Sequence, residues 1–403
     1  MKVNPTYETA SFKSIMKKLI DTPEAFIPDD LRAAFHYLLT PDLLPPEQIG
    51  ALLITLHLRH VERKPELLTA AACLLRERAL TAVVEGGKED FVVDIVGTGG
   101  DGYNLFNVST AAGIVAAGAG ARVIKHGNKA STSSSGSADL LEALGCNFIW
   151  PGGACDTQAG QIIRRMPFSF ILAPQYHPTL ATIAPYRKAL PFRTIFNVLG
   201  PLISPAQPKG MVLGVPQPEL GLSFAKTLKD SGVIRALVVC GQEGIDEISC
   251  AGPTWVWELR DGRISESVLC PETFGFNPCP LQAVRGGGPD TNAETLEILL
   301  RSGENIPLSK RPLLDFVLMN ASALLVVSGL ADTYIDGVKI AYEAVISGKA
   351  WCALETFRDS LKVQAPGPGP GDPRRLGAAP QTLTTRPYME VSHIELNPVT
   401  TVP

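Results

Sequence analysis

The stretch 91–128 reads FVVDIVGTGGDGYNLFNVSTAAGIVAAGAGARVIKHGN, and its pattern decides the fold. It opens with the apolar run 91–96, which is short and rich in β-branched residues and therefore predicts a buried strand. A loop with four glycines in six residues follows at 97–102. A helix is predicted over 111–118, with Ser109 as its cap. This order predicts a phosphate site, because the backbone amides of the loop and the helix dipole both attract an anion.

Three of these glycines also satisfy the GxGxxG spacing of dinucleotide-binding proteins. In that fingerprint the helix begins within the glycines, whereas here four residues, 103–106, separate the glycines from the helix start. The fingerprint also requires an acidic residue at the end of the second strand for the ribose hydroxyls. The second predicted strand, 122–125, ends instead in Lys125, a group suited to an anion. A Rossmann dinucleotide site is therefore excluded.

Length and composition limit the class of protein. The 403 residues suffice for two domains with a large buried core. A net charge of −4 gives no support for a surface that binds nucleic acid or an anionic membrane. The eight cysteines are scattered without a CxxC pair and predict reduced thiols. There is no signal-peptide core, and no apolar run is expected to span a membrane, so a soluble cytoplasmic protein is expected.

Hydrophobic periodicity divides the chain into three parts. Apolar residues in 1–88 recur at helical spacing between prolines and predict a helical block. From residue 89 onward strand and helix patterns alternate, which predicts a mainly parallel sheet covered by helices. Strands are predicted at 91–96, 122–125, 170–173, 211–215 and 235–240, a hairpin at 254–268, and helices at 290–302, 311–330, 333–347 and up to about 362. The Pro/Gly-rich tail 364–403 predicts a flexible appendage.

A second polar loop follows the strand at 122–125. Its residues 125–128, Lys-His-Gly-Asn, precede a hydroxyl-rich run that ends at Ser137, the predicted cap of the next helix. Such a run in isolation is also typical of a flexible surface loop. Its coupling to the first loop within one βαβ unit favours a second anion site at the same sheet edge. Two neighbouring anion sites predict a ligand with two separate phosphate groups.

Charged residues farther along the chain complete the candidate site. Arg187 lies in an amphipathic helical pattern, where arginine is more often a solvated charge; a functional role requires a facing carboxylate, which its guanidinium binds through two hydrogen bonds. Asp246 and Glu247 would point to opposite faces of a regular strand. They can serve one cation only if the backbone turns, which Gly241 and Gly244 permit. Paired oxygen ligands near phosphates suit Mg²⁺, although adjacent acids are also common on surfaces.

Seven segments occur in the order and spacing of one enzyme family. They are GTGGD at 97–101, NVST at 107–110, KHGN at 125–128, SSGSAD at 134–139, YHP at 176–178, RTIFNVLGPL at 193–202 and GIDEIS at 244–249. Together they resemble the anthranilate phosphoribosyltransferases, from about residue 10 to 360, and GTGGD with KHGN is specific to that family and its near relatives. The resemblance implies transfer of a phosphoribosyl group from phosphoribosyl pyrophosphate (PRPP) to the amine of anthranilate, in tryptophan biosynthesis.

The resemblance also implies a role for each matching residue. The PRPP-binding set would be Gly97, Thr98, Gly99, Gly100, Asp101, Asn107, Ser109, Thr110, Lys125 and Ser137. The anthranilate-binding set would be Gly97, Asn128, His177, Arg187 and Gly200. Mg²⁺ is the expected cofactor: one ion would be bound by Ser109 and a second by Asp246 and Glu247. Lys125 and Arg187 would be catalytic. His126 is a candidate proton acceptor, although the weakly basic aryl amine makes a dedicated base unnecessary.

The fold implied by the resemblance is α/β. A small, discontinuous N-terminal helical domain, formed by 1–88 and a returning segment at about 176–205, would be hinged to a larger α/β domain, 89–363, with a mainly parallel central sheet. The implied assembly is a homodimer through the helical domain. The run Thr-Leu-Ala-Thr at 179–182 departs from the family, in which many members have an Ala-Met-Lys-like run that lines the anthranilate channel.

Two other classes of protein fit parts of the pattern. A pyrimidine nucleoside phosphorylase shares the fold and presents a glycine loop and a lysine to phosphate. Such enzymes carry a KHSTGG-like loop instead of GTGGD and KHGN, which disfavours this alternative. A non-enzymatic or nucleic-acid-binding relative would keep the fold without the chemistry. The intact Lys125, Arg187, Asp246 and Glu247 argue against lost catalysis, and the acidic composition argues against nucleic acid.

Overall fold

The computed structural model describes residues 11–87, 90–130, 133–148 and 161–363. Two predictions concern residues outside these ranges. They are the flexible tail at 364–403 and the domain boundary at 88–89. Ser131 and Thr132 of the second polar loop also lie outside the described residues.

The N-terminal part is helical, as predicted. Its helices are α1 (Phe12–Asp21), α2 (Pro28–Leu39), α3 (Pro46–Leu58) and α4 (Pro65–Glu77). In α2, α3 and α4 a proline occupies the first helical position, where its missing N–H removes no hydrogen bond and its fixed φ favours the helix. The sequence therefore sets both the composition of these helices and the points at which three of them begin.

The described strands form two sheets. A small parallel sheet pairs β1 (Ala82–Val84) with β4 (Gln161–Ile163), and the sequence patterns did not predict it. The larger sheet contains β2 (Val92–Gly97), β3 (Arg122–Gly127), β5 (Phe168–Leu172), β6 (Gly210–Gly214), β7 (Arg235–Gly241), β8 (Thr254–Arg260) and β9 (Arg263–Leu269). Its order is β5-β3-β2-β6-β7-β8-β9. The strands from β5 to β7 are parallel, and β8 and β9 form the predicted antiparallel hairpin.

Further helices follow the strands along the chain. They are α5 (Val108–Gly118), α6 (Ser137–Ala143), α7 (Ala173–Tyr176), α8 (Ala184–Ala189), α9 (Gly221–Asp230), α10 (Pro289–Arg301), α11 (Arg311–Ser328), α12 (Tyr334–Ile346) and α13 (Lys349–Val363). The four long helices predicted after residue 289 are confirmed within a few residues at each end. The alternation of strands and helices confirms the predicted α/β class with a mainly parallel sheet.

Each face of the larger sheet packs against its own set of helices. Side chains alternate between the two faces of a strand. Val212 of β6 and Leu237 of β7 accordingly share one core with α5 and α11, whereas Met211 and Val238 share the other core with the N-terminal helices. The helical block and the sheet thus bury a common apolar surface. Its description as a separate, hinged domain stays a prediction.

One helical segment is long and apolar enough to cross a membrane by length and composition alone. It comprises residues Leu308–Ser328, which include α11, and it corrects the expectation that no apolar run reaches such a length. Of its most apolar 18-residue stretch, 78% is buried inside the protein. Burial of this kind is typical of the core helix of a globular protein, whose apolar surface contacts its neighbours.

Candidate active site

The carboxyl ends of neighbouring parallel strands open into one cavity of about 370 Å³. This is the edge at which ligands bind in open α/β sheets. The residues that line it and were assigned a role from the sequence are Gly97, Thr98, Gly99, Gly100, Asp101, Asn107, Ser109, Lys125, His126, Asn128, Ser137, Arg187, Gly200, Asp246 and Glu247. Thr110 and His177 lie outside its wall and are buried. The two polar loops, the acidic pair and Arg187 therefore share one cavity.

The glycine loop after β2 has a backbone that only glycine adopts readily. Gly99 and Gly100 have φ angles of +72° and +74°, in the left-handed region. The N–H of Thr98 donates to the carbonyl of Gly214 on β6 at 3.0 Å, and the N–H of Tyr103 donates to the Asp101 carboxylate at 3.1 Å. These bonds fix both ends of the loop and place its peptide groups at the cavity.

The two polar loops are joined through the start of α5. This helix begins at Val108 with Asn107 at the cap position, which corrects the prediction of Ser109 as the cap. The amide of Asn107 donates to the carbonyl of Ser135 at 2.8 Å and accepts from Asn292 at 2.8 Å. Its side chain is therefore occupied in bridging, and the first helical turn leaves Ser109 to face Lys125.

The second polar loop is closed by an acidic residue rather than by a hydroxyl. Helix α6 begins at Ser137 with Gly136 as its cap, so the predicted cap is wrong by one residue. The Asp139 carboxylate accepts from the N–H groups of Gly136 at 2.9 Å and Ala130 at 2.7 Å. A carboxylate in the first helical turn also interacts favourably with the helix dipole, which stabilises this arrangement.

Lys125 is buried at the back of the cavity, with 1% of its surface exposed. Its ammonium donates to the carbonyl of Ile95 at 2.5 Å and to the hydroxyl of Ser109 at 3.2 Å. Burial lowers the pKa of this lysine, whereas the carboxylates of Asp94, Glu247 and Asp246 raise it. Asp94 itself is fully buried, and burial raises its pKa to about 6. The neighbouring acids thus favour the charged form of the lysine, which is the form that binds an anion.

The acidic pair follows a turn at 241–244, formed by the two glycines that permit one. The N–H of Gly244 donates to the carbonyl of Gly241 at 2.8 Å, and Gly244 has a φ of +87°. The Asp246 carboxylate accepts from the N–H of Gly99 at 2.6 Å. A Cβ atom on Gly97 would collide with this carboxylate, and one on Gly214 would collide with the Asp246 carbonyl. Asp246 can therefore reach the glycine loop only because both neighbours lack a side chain.

The charge state of the acidic pair indicates a place for a cation. Burial and then the neighbouring Asp101 raise the pKa of Asp246 to about 7, and burial and then Asp246 raise that of Glu247 well above its usual value. Carboxylates crowded in this way are stabilised by a cation. No group of three or more His, Cys, Asp or Glu side chains within the described ranges is arranged to hold a metal ion. The carboxylate oxygens of Asp246 and Glu247 are donors that suit Mg²⁺, which retains waters and shares phosphate oxygens with a substrate.

His126, in the cavity wall, and His177, outside it, form a buried pair. Their ring centroids are 5.3 Å apart, and Nδ1 of His126 lies 3.2 Å from the carbonyl of Gly200. Burial lowers the pKa of His126 to about 3 and that of His177 to about 4, and His177 lowers the first further. Both rings are therefore neutral at pH 7, which makes His126 a weak base. Its role as proton acceptor stays a prediction.

The variant His177→Gln tests the burial of this pair. A histidine whose pKa is lowered by folding takes up a proton on unfolding, so its contribution is complete above pH 6.5 and is lost as the pH falls toward 4. Between pH 7.5 and pH 5, wild type should lose about 2 kcal/mol of unfolding free energy relative to the variant. Urea unfolding at both pH values measures this difference. A difference independent of pH would mean that His177 is accessible to solvent.

Arg187 lines the same cavity from the short helix α8 rather than from the longer amphipathic helix predicted. Its guanidinium carbon is 5.9 Å from the centroid of the Phe196 ring, and its Nε atom has no hydrogen-bond partner among the described residues. Leu180 and Leu199 add apolar surface to the cavity wall. A half-buried guanidinium beside an aromatic wall, with its Nε free to donate, suits a planar apolar molecule that carries a carboxylate.

Arg193 also lines the cavity, and it was not assigned a role from the sequence. Its guanidinium donates to the carbonyl of Gly100 at 3.0 Å and to that of Gly99. It lies within the segment RTIFNVLGPL, but nothing in a one-dimensional pattern indicates that this arginine bonds to backbone 93 residues earlier. The contact depends on how the returning segment packs over the sheet edge.

Comparison with known proteins decides the family. Residues 89–351 match the Glycosyl transferase family, a/b domain. The anthranilate phosphoribosyltransferase of Schizosaccharomyces pombe is 46% identical over 330 residues, which cover 82% of this chain and 91% of that protein. The chain belongs to the anthranilate phosphoribosyltransferase family. Membership confirms the resemblance carried by the seven motifs and disfavours the nucleoside phosphorylase alternative.

Solved anthranilate phosphoribosyltransferases have the same fold. The enzyme from Saccharomyces cerevisiae in complex with PRPP and Mg is 32% identical to this chain. The two structures superpose with a TM-score of 0.76 over 87% of this chain and 98% of that one. The enzyme from Thermus thermophilus is 36% identical and superposes with a TM-score of 0.75 over 86% of this chain and 99% of that one. This chain therefore shares the anthranilate phosphoribosyltransferase fold over nearly the whole length of each relative.

Proposed function

We propose that this chain transfers the 5-phosphoribosyl group of PRPP to the amine of anthranilate, giving N-(5-phosphoribosyl)anthranilate and pyrophosphate. This is the second step of tryptophan biosynthesis. One observation carries the proposal: a single cavity holds a glycine loop backed by a buried lysine, an acidic pair and a half-buried arginine that packs over Phe196. The relatives that align with most of the chain are named anthranilate phosphoribosyltransferases.

PRPP is assigned to the side of the cavity formed by the two polar loops. The peptide groups of 97–101 would bind its pyrophosphate, with Lys125 supplying positive charge, and Ser137 at the start of α6 would complete the site. Asn107 joins the two loops and Thr110 packs behind them, so these two residues would act by fixing the loops.

Mg²⁺ would be held by Ser109, Asp246 and Glu247, together with Asp101, whose carboxylate neighbours Asp246. When bound, it would neutralise charge on the departing pyrophosphate. The acidic pair then has two effects on this side of the cavity. It would hold the cation and, through Asp246, keep the N–H of Gly99 fixed. The solved relative from Saccharomyces cerevisiae contains both PRPP and Mg.

Anthranilate is assigned to the side of the cavity formed by the returning segment. Arg187 would bind its carboxylate with two hydrogen bonds, and Asn128, Gly200 and the apolar wall would hold its ring. His177 would support this wall from behind through its packing on His126. The amine of the bound molecule would then point toward C1 of the ribose across the cavity.

The reaction exchanges one bond at C1 of the ribose. The bond from C1 to the pyrophosphate oxygen breaks, a bond from C1 to the amine nitrogen forms, and that nitrogen loses one proton. Lys125 stabilises the negative charge that develops on the leaving group, while Arg187 fixes the amine in line with C1. The aryl amine becomes acidic as its bond forms, so the proton can pass to solvent or to the neutral ring of His126.

The N-terminal helices offer a surface for assembly. The N-terminal helices expose Ile20 on α1 and both Ile54 and Leu58 on α3. Apolar side chains of this kind suit the buried centre of an interface between two copies of the chain. We assign the enzyme to a homodimer formed through these helices and to the cytoplasm, where both substrates would be soluble.

The proposed function is tested by mixing the protein with PRPP, Mg²⁺ and anthranilate and following the loss of anthranilate fluorescence. The signal should fall only when all three are present, and chelation of Mg²⁺ should stop it. The matched control replaces anthranilate and PRPP with uridine or thymidine and phosphate. Phosphorolysis of a nucleoside without any loss of anthranilate would overturn the proposal in favour of a phosphorylase.

A further inference from the structure

Arg193 connects the two halves of the cavity. It reaches from the returning segment to the glycine loop and donates to two successive carbonyls, those of Gly99 and Gly100. A Cβ atom on Gly100 would collide with the guanidinium, which shows how closely the arginine packs on the loop. The carboxylates of Asp246 and Asp101 face the same guanidinium and balance its charge.

These two hydrogen bonds determine where the neighbouring amides point. In a trans peptide the C=O and the following N–H point in opposite directions. The carbonyl of Gly99 therefore sets the direction of the Gly100 N–H, and the carbonyl of Gly100 sets that of the Asp101 N–H. Both amides belong to the turn assigned to the pyrophosphate of PRPP. Glycines tolerate many backbone conformations, so these two bonds add to the hold of Asp246 on the Gly99 N–H.

The other end of Arg193 is held by the wall of the anthranilate half. The next residue, Thr194, donates from its N–H and its hydroxyl to the side-chain oxygen of Asn197, at 2.9 and 3.0 Å. The turn made in this way carries Phe196, which lies beneath Arg187 and stacks on Phe35 at 5.0 Å between ring centroids. A movement of this wall would therefore be transmitted to the glycine loop through Arg193.

We propose that Arg193 is a positioning residue for the phosphoribosyl transfer: it orients the amides of the Gly99–Gly100 turn and ties the PRPP loop to the segment that bears Arg187. The inference rests on the proposed function for its substrates, but its geometry does not depend on them. In this role Arg193 acts through the backbone carbonyls of the loop.

The variants Arg193→Ala and Arg193→Lys test this inference. Loss of two charge-assisted bonds should raise the PRPP KM of Arg193→Ala by about tenfold to a hundredfold. Lysine keeps the charge but lacks the planar fork that spans two carbonyls, so Arg193→Lys should recover only part of the loss. Millimolar guanidinium in the assay should partly restore Arg193→Ala, because the ion fits the vacated space. Lys188→Ala, at a nearby exposed position, is the matched control and should keep wild-type values.

Calorimetric titration with PRPP and Mg²⁺ separates this inference from the proposed function. A wild-type protein that binds PRPP but does not consume anthranilate would contradict the proposed transfer, while the ratio of PRPP affinities between wild type and Arg193→Ala would still report on Arg193. Unchanged PRPP affinity in Arg193→Ala would overturn the inference. So would a lower melting temperature without guanidinium rescue and without a change in PRPP affinity, because that pattern indicates a structural role only.

Discussion

Replacement of Lys125 with methionine is expected to lower kcat by about a hundredfold to a thousandfold, the range found when one buried donor to a developing negative charge is removed. Methionine fills a similar volume but cannot donate to the carbonyl of Ile95 or to Ser109. It also leaves the buried Asp94 without its neighbouring cation. Steady-state kinetics at saturating PRPP and anthranilate measure the effect on kcat, and thermal unfolding measures the effect on the fold.

The same variant should also be less stable, because removing one partner of a buried set of charges costs about 3 kcal/mol or more. This loss should be smaller at pH 5 than at pH 8, since Asp94, whose pKa is raised to about 6, becomes protonated and no longer needs a cation. Lys226→Met, on the exposed face of α9, is the matched control. A wild-type kcat in folded Lys125→Met protein would remove Lys125 from the leaving-group site.

The parts of the fold that follow local rules were predictable from the sequence. β-Branched runs flanked by glycine gave the strands of the larger sheet, because such runs favour extended backbone whatever surrounds them. The turn before Asp246 and Glu247 was only permitted by the sequence, through Gly241 and Gly244, and the structure forms it with a left-handed φ at Gly244. Both polar loops were placed at one sheet edge because parallel strands must end there together.

The missed features all depend on partners distant in sequence. The three-residue strands β1 and β4 are stabilised by pairing with each other across 79 positions, from Ala82 to Gln161, and carry no periodic signal of their own. Asn107 became the cap position of α5 because its side chain bonds to Ser135 and Asn292, which a local pattern cannot reveal. The burial of His177 and the reach of Arg193 likewise follow from how the returning segment packs.

The acidic pair and Lys125 illustrate why a site can be predicted better than its charges. Sequence spacing placed both near one anion, but an isolated lysine and an isolated aspartate have ordinary pKa values. Only the packed structure shows that the pKa of Asp246 is raised to about 7 while that of Lys125 is lowered by burial. Binding of a cation at the acids would lower their pKa and keep them ionised. Ionised acids favour the charged form of Lys125, so the metal and the lysine should act together on one leaving group.

Replacement of Arg187 with alanine is expected to raise the anthranilate KM by about a hundredfold, the value of a desolvated pair of charge-assisted hydrogen bonds, while the PRPP KM changes little. Arg187 packs over Phe196 on the side of the cavity assigned to anthranilate, so its loss should leave the PRPP contacts intact. Arg187→Lys keeps a charge without the planar fork and should lie between the two. Initial rates with each substrate varied in turn measure both constants.

The pattern across variants decides the role of Arg187. If Arg187 binds the carboxylate, aniline, which lacks that group, should be a poor substrate for wild type. Anthranilate should be an equally poor substrate for Arg187→Ala. The variant should therefore no longer discriminate between anthranilate and aniline. Lys188→Ala, at the neighbouring exposed position, should keep the wild-type preference. Equal increases in the KM of PRPP and of anthranilate would contradict the assignment. They would mean that Arg187 supports the whole cavity, as its packing over Phe196 also permits, rather than one substrate.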